Sequence, residues 1–186
     1  MIDDGTGASD ALANRDRFVT DVLADAATAG VKALSEHDGK AVLARFGVDV
    51  PRGVRVDADV GESCLPSLVA SLKPPYVLKA LANDVLHKSD LGAVRLGIND
   101  ATELVAALEA MRGRLADAGV TTTGFLVEET APAGTELIIG GQYDRRFGPV
   151  LMVGLGGVFV EIFKDVTYRI CPIERDDARA MLEELQ

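Results

Sequence analysis

The 186-residue sequence contains no tryptophan, only two cysteines and only two histidines. Cys64 and Cys171 are far apart and lack the spacing of metal ligands, so we expect two unpaired thiols in a reducing compartment. No apolar run approaches the ~20 residues that a membrane span requires. The N-terminus also lacks the basic start and apolar centre of a signal peptide. These absences predict a soluble cytoplasmic protein.

Basic residues are scarce relative to acidic ones, at 19 against 29, which gives a net charge of −10. This balance argues against sequence-independent binding of nucleic acid and against docking to an anionic membrane, so we expect neither partner. A phosphate ligand stays compatible with it. Exposed charges are screened within ~8–10 Å, and Lys79, Lys88 and Arg95 form a local basic group.

The hydrophobic pattern predicts an α+β fold. Residues 1–14 have no apolar period and predict a flexible tail, followed by one domain over residues 15–186. Helices are predicted at about 15–33, 35–46 (with Ser35 as N-cap), 65–72, 101–115 and 176–185. Strands are predicted at 48–56, 76–80, 93–98, 124–128, 135–141, 148–154, 159–163 and 167–170. Because many strands are adjacent in sequence, we expect antiparallel sheets in two lobes, at 48–125 and 126–186.

The most informative segment begins where a short apolar strand ends in Lys79. A polar loop follows with the sequence His87-Lys88-Ser89-Asp90-Leu91-Gly92. A phosphate group needs cations, hydroxyl donors and accessible backbone N–H groups, and a glycine leaves those N–H groups accessible. A neutral imidazole can in addition accept a phosphoryl group. The simpler alternative for Lys79 is an outward-facing lysine on an edge strand.

Acidic residues flank a second loop, Ala131-Pro-Ala-Gly134. Glu128 and Glu129 end one strand and Glu136 begins the next. One interpretation is a solubilising acidic pair. The functional interpretation is a hinge whose backbone contacts an adenine edge, with Glu136 accepting hydrogen bonds from ribose hydroxyls.

Two further patterns have simpler explanations. The run Gly154-Leu-Gly-Gly157 lacks the spacing and the following helix of a dinucleotide fingerprint, so we interpret it as a tight link between strands. Glu161 and Asp165 are four residues apart on a predicted strand and therefore share a face. They are candidate ligands of Mg²⁺ or of cationic side chains, and an ordinary solvated strand face is the alternative.

Taken together, these residues resemble the ATP-grasp part, or beta subunit, of NDP-forming acyl-CoA synthetases, which are relatives of succinyl-CoA synthetase. The resemblance runs from about Lys32 to the C-terminus. It is carried by Lys32-Ala-Leu-Ser-Glu36, Phe46-Gly-Val-Asp-Val-Pro51, Val77-Leu-Lys79, His87-Lys-Ser-Asp-Leu-Gly92, Val127-Glu-Glu129, Gly134-Thr-Glu-Leu-Ile-Ile-Gly-Gly141 and the long run from Phe147-Gly-Pro149 to Phe163-Lys-Asp165.

The resemblance implies an ATP-grasp fold and a ligase that interconverts acyl-CoA, ADP and phosphate with a carboxylic acid, CoA and ATP through a phosphohistidine. It makes His87 the relay histidine that exchanges a phosphoryl group with ADP, with Mg²⁺ as a cofactor. It also implies a CoA-binding alpha subunit or domain as partner, which carries the other histidine and meets CoA and the acid. The implied nucleotide contacts are Lys79, Lys88, Ser89 and Gly92 for the phosphates, and Glu128, Ala131 and Glu136 for adenine and ribose.

The sequence departs from the family pattern in two ways. Ala93 stands where a second glycine usually follows Gly92. The strands that supply most Mg²⁺ ligands in the family lie beyond the last predicted helix, and the sequence ends at Gln186, so we expect these strands to be missing here. The alternative to a ligase half is therefore a shortened, non-catalytic module for nucleotide binding or assembly.

Overall fold

A computed structural model describes residues 6–31, 33–82, 92–157 and 165–185, with side chains from residue 13 onward. The chain forms two compact units, Met1–Ala131 and Pro132–Gln186. The division follows residue 131, whereas the sequence predicted a division after residue 125. The reason is that the strand at 124–129 pairs with two strands of the first unit.

The first unit contains four helices and a four-stranded sheet among its described residues. The helices are α1 (Thr6–Thr28), α2 (Glu36–Arg45), α3 (Leu65–Leu68) and α4 (Ala101–Asp117), and the strands are β1 (Gly53–Val56), β2 (Tyr76–Leu81), β3 (Val94–Ile98) and β4 (Gly124–Glu129). The strand order is β1-β4-β2-β3, and each neighbouring pair is antiparallel. The two interior strands, β2 and β4, pair continuously from Tyr76↔Glu129 to Leu81↔Gly124.

Several boundaries in this unit differ from the sequence-based prediction. Helix α1 begins at Thr6, so the predicted flexible tail is wrong for residues 6–14. This segment has no apolar period, but alanines at positions 8, 11 and 13 favour a helix by intrinsic propensity. Strand β1 begins at Gly53 instead of residue 48, after Pro51, which has no N–H to donate to a ladder. Helix α3 ends at Leu68 instead of residue 72.

The core of the first unit lies between α4 and one face of its sheet. The stripe predicted on α4 is confirmed, because its four members are each at most 1% exposed: Leu104, Leu108, Met111 and Leu115. They pack with Leu78, Phe125 and Val127 from the interior strands. The Asp100 carboxylate caps α4 by accepting the Glu103 N–H at 2.8 Å, which fixes where the helix begins.

The described residues of the second unit form an antiparallel sheet and one helix. Its described strands are β5 (Leu137–Asp144), β6 (Gly148–Leu155) and β7 (Val166–Ile170), in the order β5-β6-β7, and its helix is α5 (Arg175–Glu183). Met181 of α5 is fully buried, and its carbonyl oxygen accepts a hydrogen bond from the Thr167 hydroxyl of β7. The strand predicted at 159–163 lies outside the described residues. Both units confirm the predicted α+β class with antiparallel sheets.

Candidate functional site

Lys79 lies in the interior of the first sheet, on β2 between β3 and β4. The alternative of an edge-strand lysine is therefore wrong. Leu78 and Ala80 point into the core, so Lys79 points to the opposite face, where its side chain is 21% exposed. A lysine in such a place needs an anionic partner.

The pairing of β2 with β4 supplies that partner. Lys79 is opposite Leu126 and Val77 is opposite Glu128, so Lys79 and Glu128 are diagonal neighbours on one face of the sheet. The Lys79 Nζ lies 2.8 Å from the Glu128 Oε2. On the other side, Gly53 of β1 is paired with Glu128, and a Cβ at that glycine would lie only 2.8 Å from the Glu128 Cγ. The glycine makes room for the carboxylate.

Helix α2 contributes a second lysine and a second glutamate. Ser35 caps the helix by accepting the Asp38 N–H at 3.1 Å, and Glu36 and Lys40 then stand one turn apart. The Lys40 Nζ donates to Glu36 at 2.8 Å and to the two Glu128 carboxylate oxygens at 2.6 and 2.7 Å. Lys79 also hydrogen bonds to Glu36. Each lysine thus contacts both glutamates, and we call Glu36, Lys40, Lys79 and Glu128 the lysine–glutamate cluster.

The cluster stabilises the charged forms of Glu36 and Lys79. Burial alone would raise the pKa of Glu36, but hydrogen bonds from Lys40 and Lys79 outweigh burial and lower that pKa below its ordinary value. Burial alone would lower the pKa of Lys79, but hydrogen bonds to Glu128 and Glu36 raise it. Lys79 is therefore cationic at neutral pH. The two ammonium groups lie within hydrogen-bonding distance of shared oxygens. They are therefore positioned to bind one phosphate group together.

Only part of the predicted phosphate loop can be placed. His87, Lys88 and Ser89 lie outside the described residues. Gly92 is described and has a positive φ of 64°, a conformation that favours glycine. Its carbonyl oxygen accepts a hydrogen bond from Arg114 at 3.2 Å. The departure at Ala93 has a structural explanation, because its side chain is 2% exposed and belongs to the core.

The remaining predicted nucleotide contacts divide between the two units. Ala131 is the last residue of the first unit and is exposed, whereas Glu136 belongs to the second unit and precedes β5. The Glu136 carbonyl oxygen accepts the Gly156 N–H at 2.7 Å. A Cβ at Gly156 would lie 2.9 Å from the Glu136 Cβ, and one at Gly157 would lie 3.1 Å from its carboxylate. The glycine run thus makes room for Glu136, whereas the strand predicted to follow it lies outside the described residues.

The described residues do not make up a Mg²⁺ site. Within the part of the chain that the structure describes, no three histidine, cysteine, aspartate or glutamate side chains converge as ligands. Of the two candidate ligands, Glu161 lies outside the described residues. Asp165 immediately precedes β7, and its carbonyl oxygen accepts the Leu155 N–H at 3.3 Å. Also among the described residues, none of the helices has the length and apolar character to cross a bilayer.

The sequence indicated Lys79 for the phosphates and Glu128 for adenine or ribose, but the Glu128 side chain is buried and contacts the two lysines instead. The sequence analysis missed Glu36 and Lys40. The signal available was the i,i+4 spacing of these two residues in the helix that Ser35 caps. That spacing is common on solvated helices, so it does not by itself indicate a site.

Comparison with known proteins identifies the family. A model described as "ATP-grasp domain" matches residues 25–186. The chain belongs to the ATP-grasp family. It is similar to the subunit beta of acetate–CoA ligase [ADP-forming] I from Pyrococcus furiosus, with 34% identity over 169 residues that cover 88% of this chain and 70% of the relative. The family predicted from the residues is confirmed.

Two further relatives show how much of a longer enzyme this chain covers. The acetate–CoA ligase [ADP-forming] I from Archaeoglobus fulgidus is 38% identical over 154 residues, which cover 80% of this chain but 22% of that enzyme. A solved structure of the dinucleotide-forming acetyl-coenzyme A synthetase 1 from Ca. Korarchaeum cryptofilum, with coenzyme A and Ca-AMPCP, superposes with a TM-score of 0.82 and 35% identity, covering 89% of this chain and 72% of that one. The chain therefore spans about a fifth of the A. fulgidus enzyme and about 70% of the separate subunit. The ATP-grasp fold is confirmed.

Proposed function

We propose that this chain is the nucleotide-binding half of an ADP-forming acyl-CoA synthetase. The single observation that carries the proposal is the position of Lys79. It is held cationic and partly accessible on an interior strand, eight residues before His87 in the sequence. Its relatives support the reaction class, since several are named acetate–CoA ligases [ADP-forming].

The proposed chemistry is a reversible phosphoryl transfer. A neutral nitrogen of the His87 imidazole attacks the γ-phosphorus of ATP, the P–O bond to ADP breaks, and the ring nitrogen carries the phosphoryl group. In the opposite direction ADP takes the group back and ATP forms. Lys79 and Lys40 counter the phosphate charge during both directions. One structure from Ca. Korarchaeum cryptofilum is described as having a phosphohistidine segment that points towards the nucleotide-binding site.

The other half of the reaction is proposed to belong to a partner. A CoA-binding alpha subunit or domain would form the acyl phosphate from acyl-CoA and phosphate and pass the phosphoryl group to His87. Glu136 and the backbone near Ala131 are proposed to hold ribose and adenine. Lys88, Ser89 and Gly92 are proposed to line the phosphates. Mg²⁺ is proposed as a cofactor, although the described residues alone do not form its site.

Titration calorimetry of the full chain with ATP tests nucleotide binding. Lys79→Ala should weaken the affinity at least tenfold, or about 1.4 kcal/mol, because it removes a charge-assisted phosphate contact. Lys73→Ala is the matched control, since Lys73 is exposed and uses only its backbone N–H, which donates to Glu129 at 2.9 Å. Equal dissociation constants for Lys79→Ala and the unmodified protein would refute the phosphate contact.

Transfer of the phosphoryl group is tested with γ-labelled ATP and Mg²⁺. We expect label that is lost in acid and stable in alkali, as phosphohistidine requires, and that disappears in His87→Ala. His37→Ala is the matched control, because His37 is the other histidine of the chain, and it should keep the label. ATP binding without labelled histidine would instead support the non-catalytic module.

A further inference from the structure

The four members of the lysine–glutamate cluster differ in how easily each can leave it. The Glu128 side chain is 3% exposed, the two lysines are 21–22% exposed and Glu36 is 33% exposed. Moving Glu128 away would break its contacts with both lysines while its carboxylate is buried, which is strongly unfavourable. Glu36 lies on the first turn of α2 and has the most exposed side chain of the four. Glu36 is therefore the member that can be exchanged.

The contacts of Glu36 are also those that a phosphate oxygen would make. Its Oε1 accepts from Lys40 at 2.8 Å and from Lys79, so a single anionic oxygen bridges the two ammonium groups. Each ammonium group has three donors, and Glu128 retains its contacts with both lysines if Glu36 moves. The charge of the cluster then changes from zero to +1, which favours an incoming polyanion.

We propose that Glu36 occupies the position of a phosphate oxygen between Lys40 and Lys79 and is displaced when the phosphates of a nucleotide bind. Lys40 then becomes a second phosphate-binding residue beside Lys79, and Glu128 positions both lysines. Nucleotide binding and release are an exchange of anions in this arrangement. The affinity for the nucleotide therefore reflects how much more favourably the two lysines bind a phosphate than the Glu36 carboxylate. It does not reflect the full attraction between the lysines and the phosphate. This inference rests on the proposed nucleotide site and identifies a competitor within it.

The decisive variant is Glu36→Gln in the full chain, because glutamine keeps the shape of the side chain and removes its charge. We expect ATP and inorganic tripolyphosphate to bind about three- to tenfold more tightly than to the unmodified protein, since they no longer displace an anion. Adenosine has no phosphate and should bind both proteins equally. Glu183→Gln is the matched control, because it makes the same change of net charge on exposed α5; its tripolyphosphate affinity should be unchanged.

A second variant tests Lys40 separately. Lys40→Met should weaken binding of tripolyphosphate at least fivefold, and Lys40→Arg should restore most of it, whereas a purely structural lysine would leave the affinity of the folded protein unchanged. Circular dichroism at the titration temperature establishes that each variant is folded.

The outcomes separate this inference from the function on which it rests. If the unmodified protein binds ATP and Glu36→Gln binds no more tightly, the exchange is refuted and the nucleotide site stands. If ATP binds only to Glu36→Gln, the exchange is supported in its strongest form. If neither protein binds ATP or tripolyphosphate, both proposals are wrong.

Discussion

Replacing Glu128 with glutamine tests whether its buried carboxylate holds the lysine–glutamate cluster together. Glu128→Gln keeps the size of the side chain but removes the charge that two lysines contact at 2.6–2.8 Å. Removing one partner of a fully buried ion pair costs about 3–5 kcal/mol. Here the lysines keep Glu36 and about a fifth of their surface in water, which reduces the penalty. We therefore expect the free energy of unfolding to fall by about 2–4 kcal/mol.

The measurement is urea denaturation at pH 7 followed by far-ultraviolet circular dichroism, because the chain has no tryptophan. Since the chain has two compact units, amide hydrogen exchange of β2 and β4 assigns the loss to the first unit. Glu129→Gln is the matched control, one residue further along the strand. Glu129 is 3.8 Å from Arg52 and accepts the Lys73 N–H, which an amide oxygen can also accept. That variant should cost less than about 1 kcal/mol.

The reasoning would be refuted if Glu128→Gln were no less stable than Glu129→Gln. Such a result would mean that the lysines reach water or Glu36 without loss, and that the buried carboxylate does not position them. A decrease confined to the second unit would contradict the assignment of the cluster to β2, β4 and α2.

Three further predictions concern pH and packing. As pH falls below the ordinary glutamate value of 4.5, stability should decrease through the lowered pKa of Glu36, and as pH rises above 10.5 it should decrease through the raised pKa of Lys79. Leu108→Ala should lower the free energy of unfolding by about 2–5 kcal/mol, because the side chain is fully buried. Gly156→Ala should destabilise β5 and β6 by about 1–3 kcal/mol, because its Cβ would meet Glu136 at 2.9 Å.

Each of these predictions has a control in the same chain. In Glu36→Gln the loss of stability near pH 4 should be smaller than in the unmodified protein; an identical acid profile would contradict the assignment. Leu96 is 65% exposed, so Leu96→Ala should change stability by less than about 0.5 kcal/mol, and a loss as large as that of Leu108→Ala would contradict the cavity argument. A Cβ at Gly134 has nothing within 4 Å, so Gly134→Ala should leave β5 and β6 intact. Equal hydrogen exchange in the two glycine variants would count against a steric clash.

The sequence predicted well wherever a feature depends on neighbours along the chain. The helical stripe of α4 is confirmed at each of its four positions, and Ser35 caps α2 as expected, since helical period and capping are local properties. The start of α1 was mistaken because its first residues lack an apolar stripe. The division between the units was mistaken because β4 follows α4 in sequence but pairs with β1 and β2, and pairing is a long-range choice.

For the candidate site, the sequence by itself determined the family and the types of residue that a phosphate requires, with Lys79 among them. Only the tertiary structure decided what these side chains contact. Lys79 and Glu128 are 49 positions apart in sequence, and the antiparallel register of β2 with β4 makes them diagonal neighbours. The capped helix α2 then brings Lys40 to the Glu128 carboxylate and Glu36 to the Lys79 ammonium group. Ion pairs of this kind depend on register and helix packing, which no local pattern encodes, whereas helix caps and apolar stripes depend on residues a few positions apart.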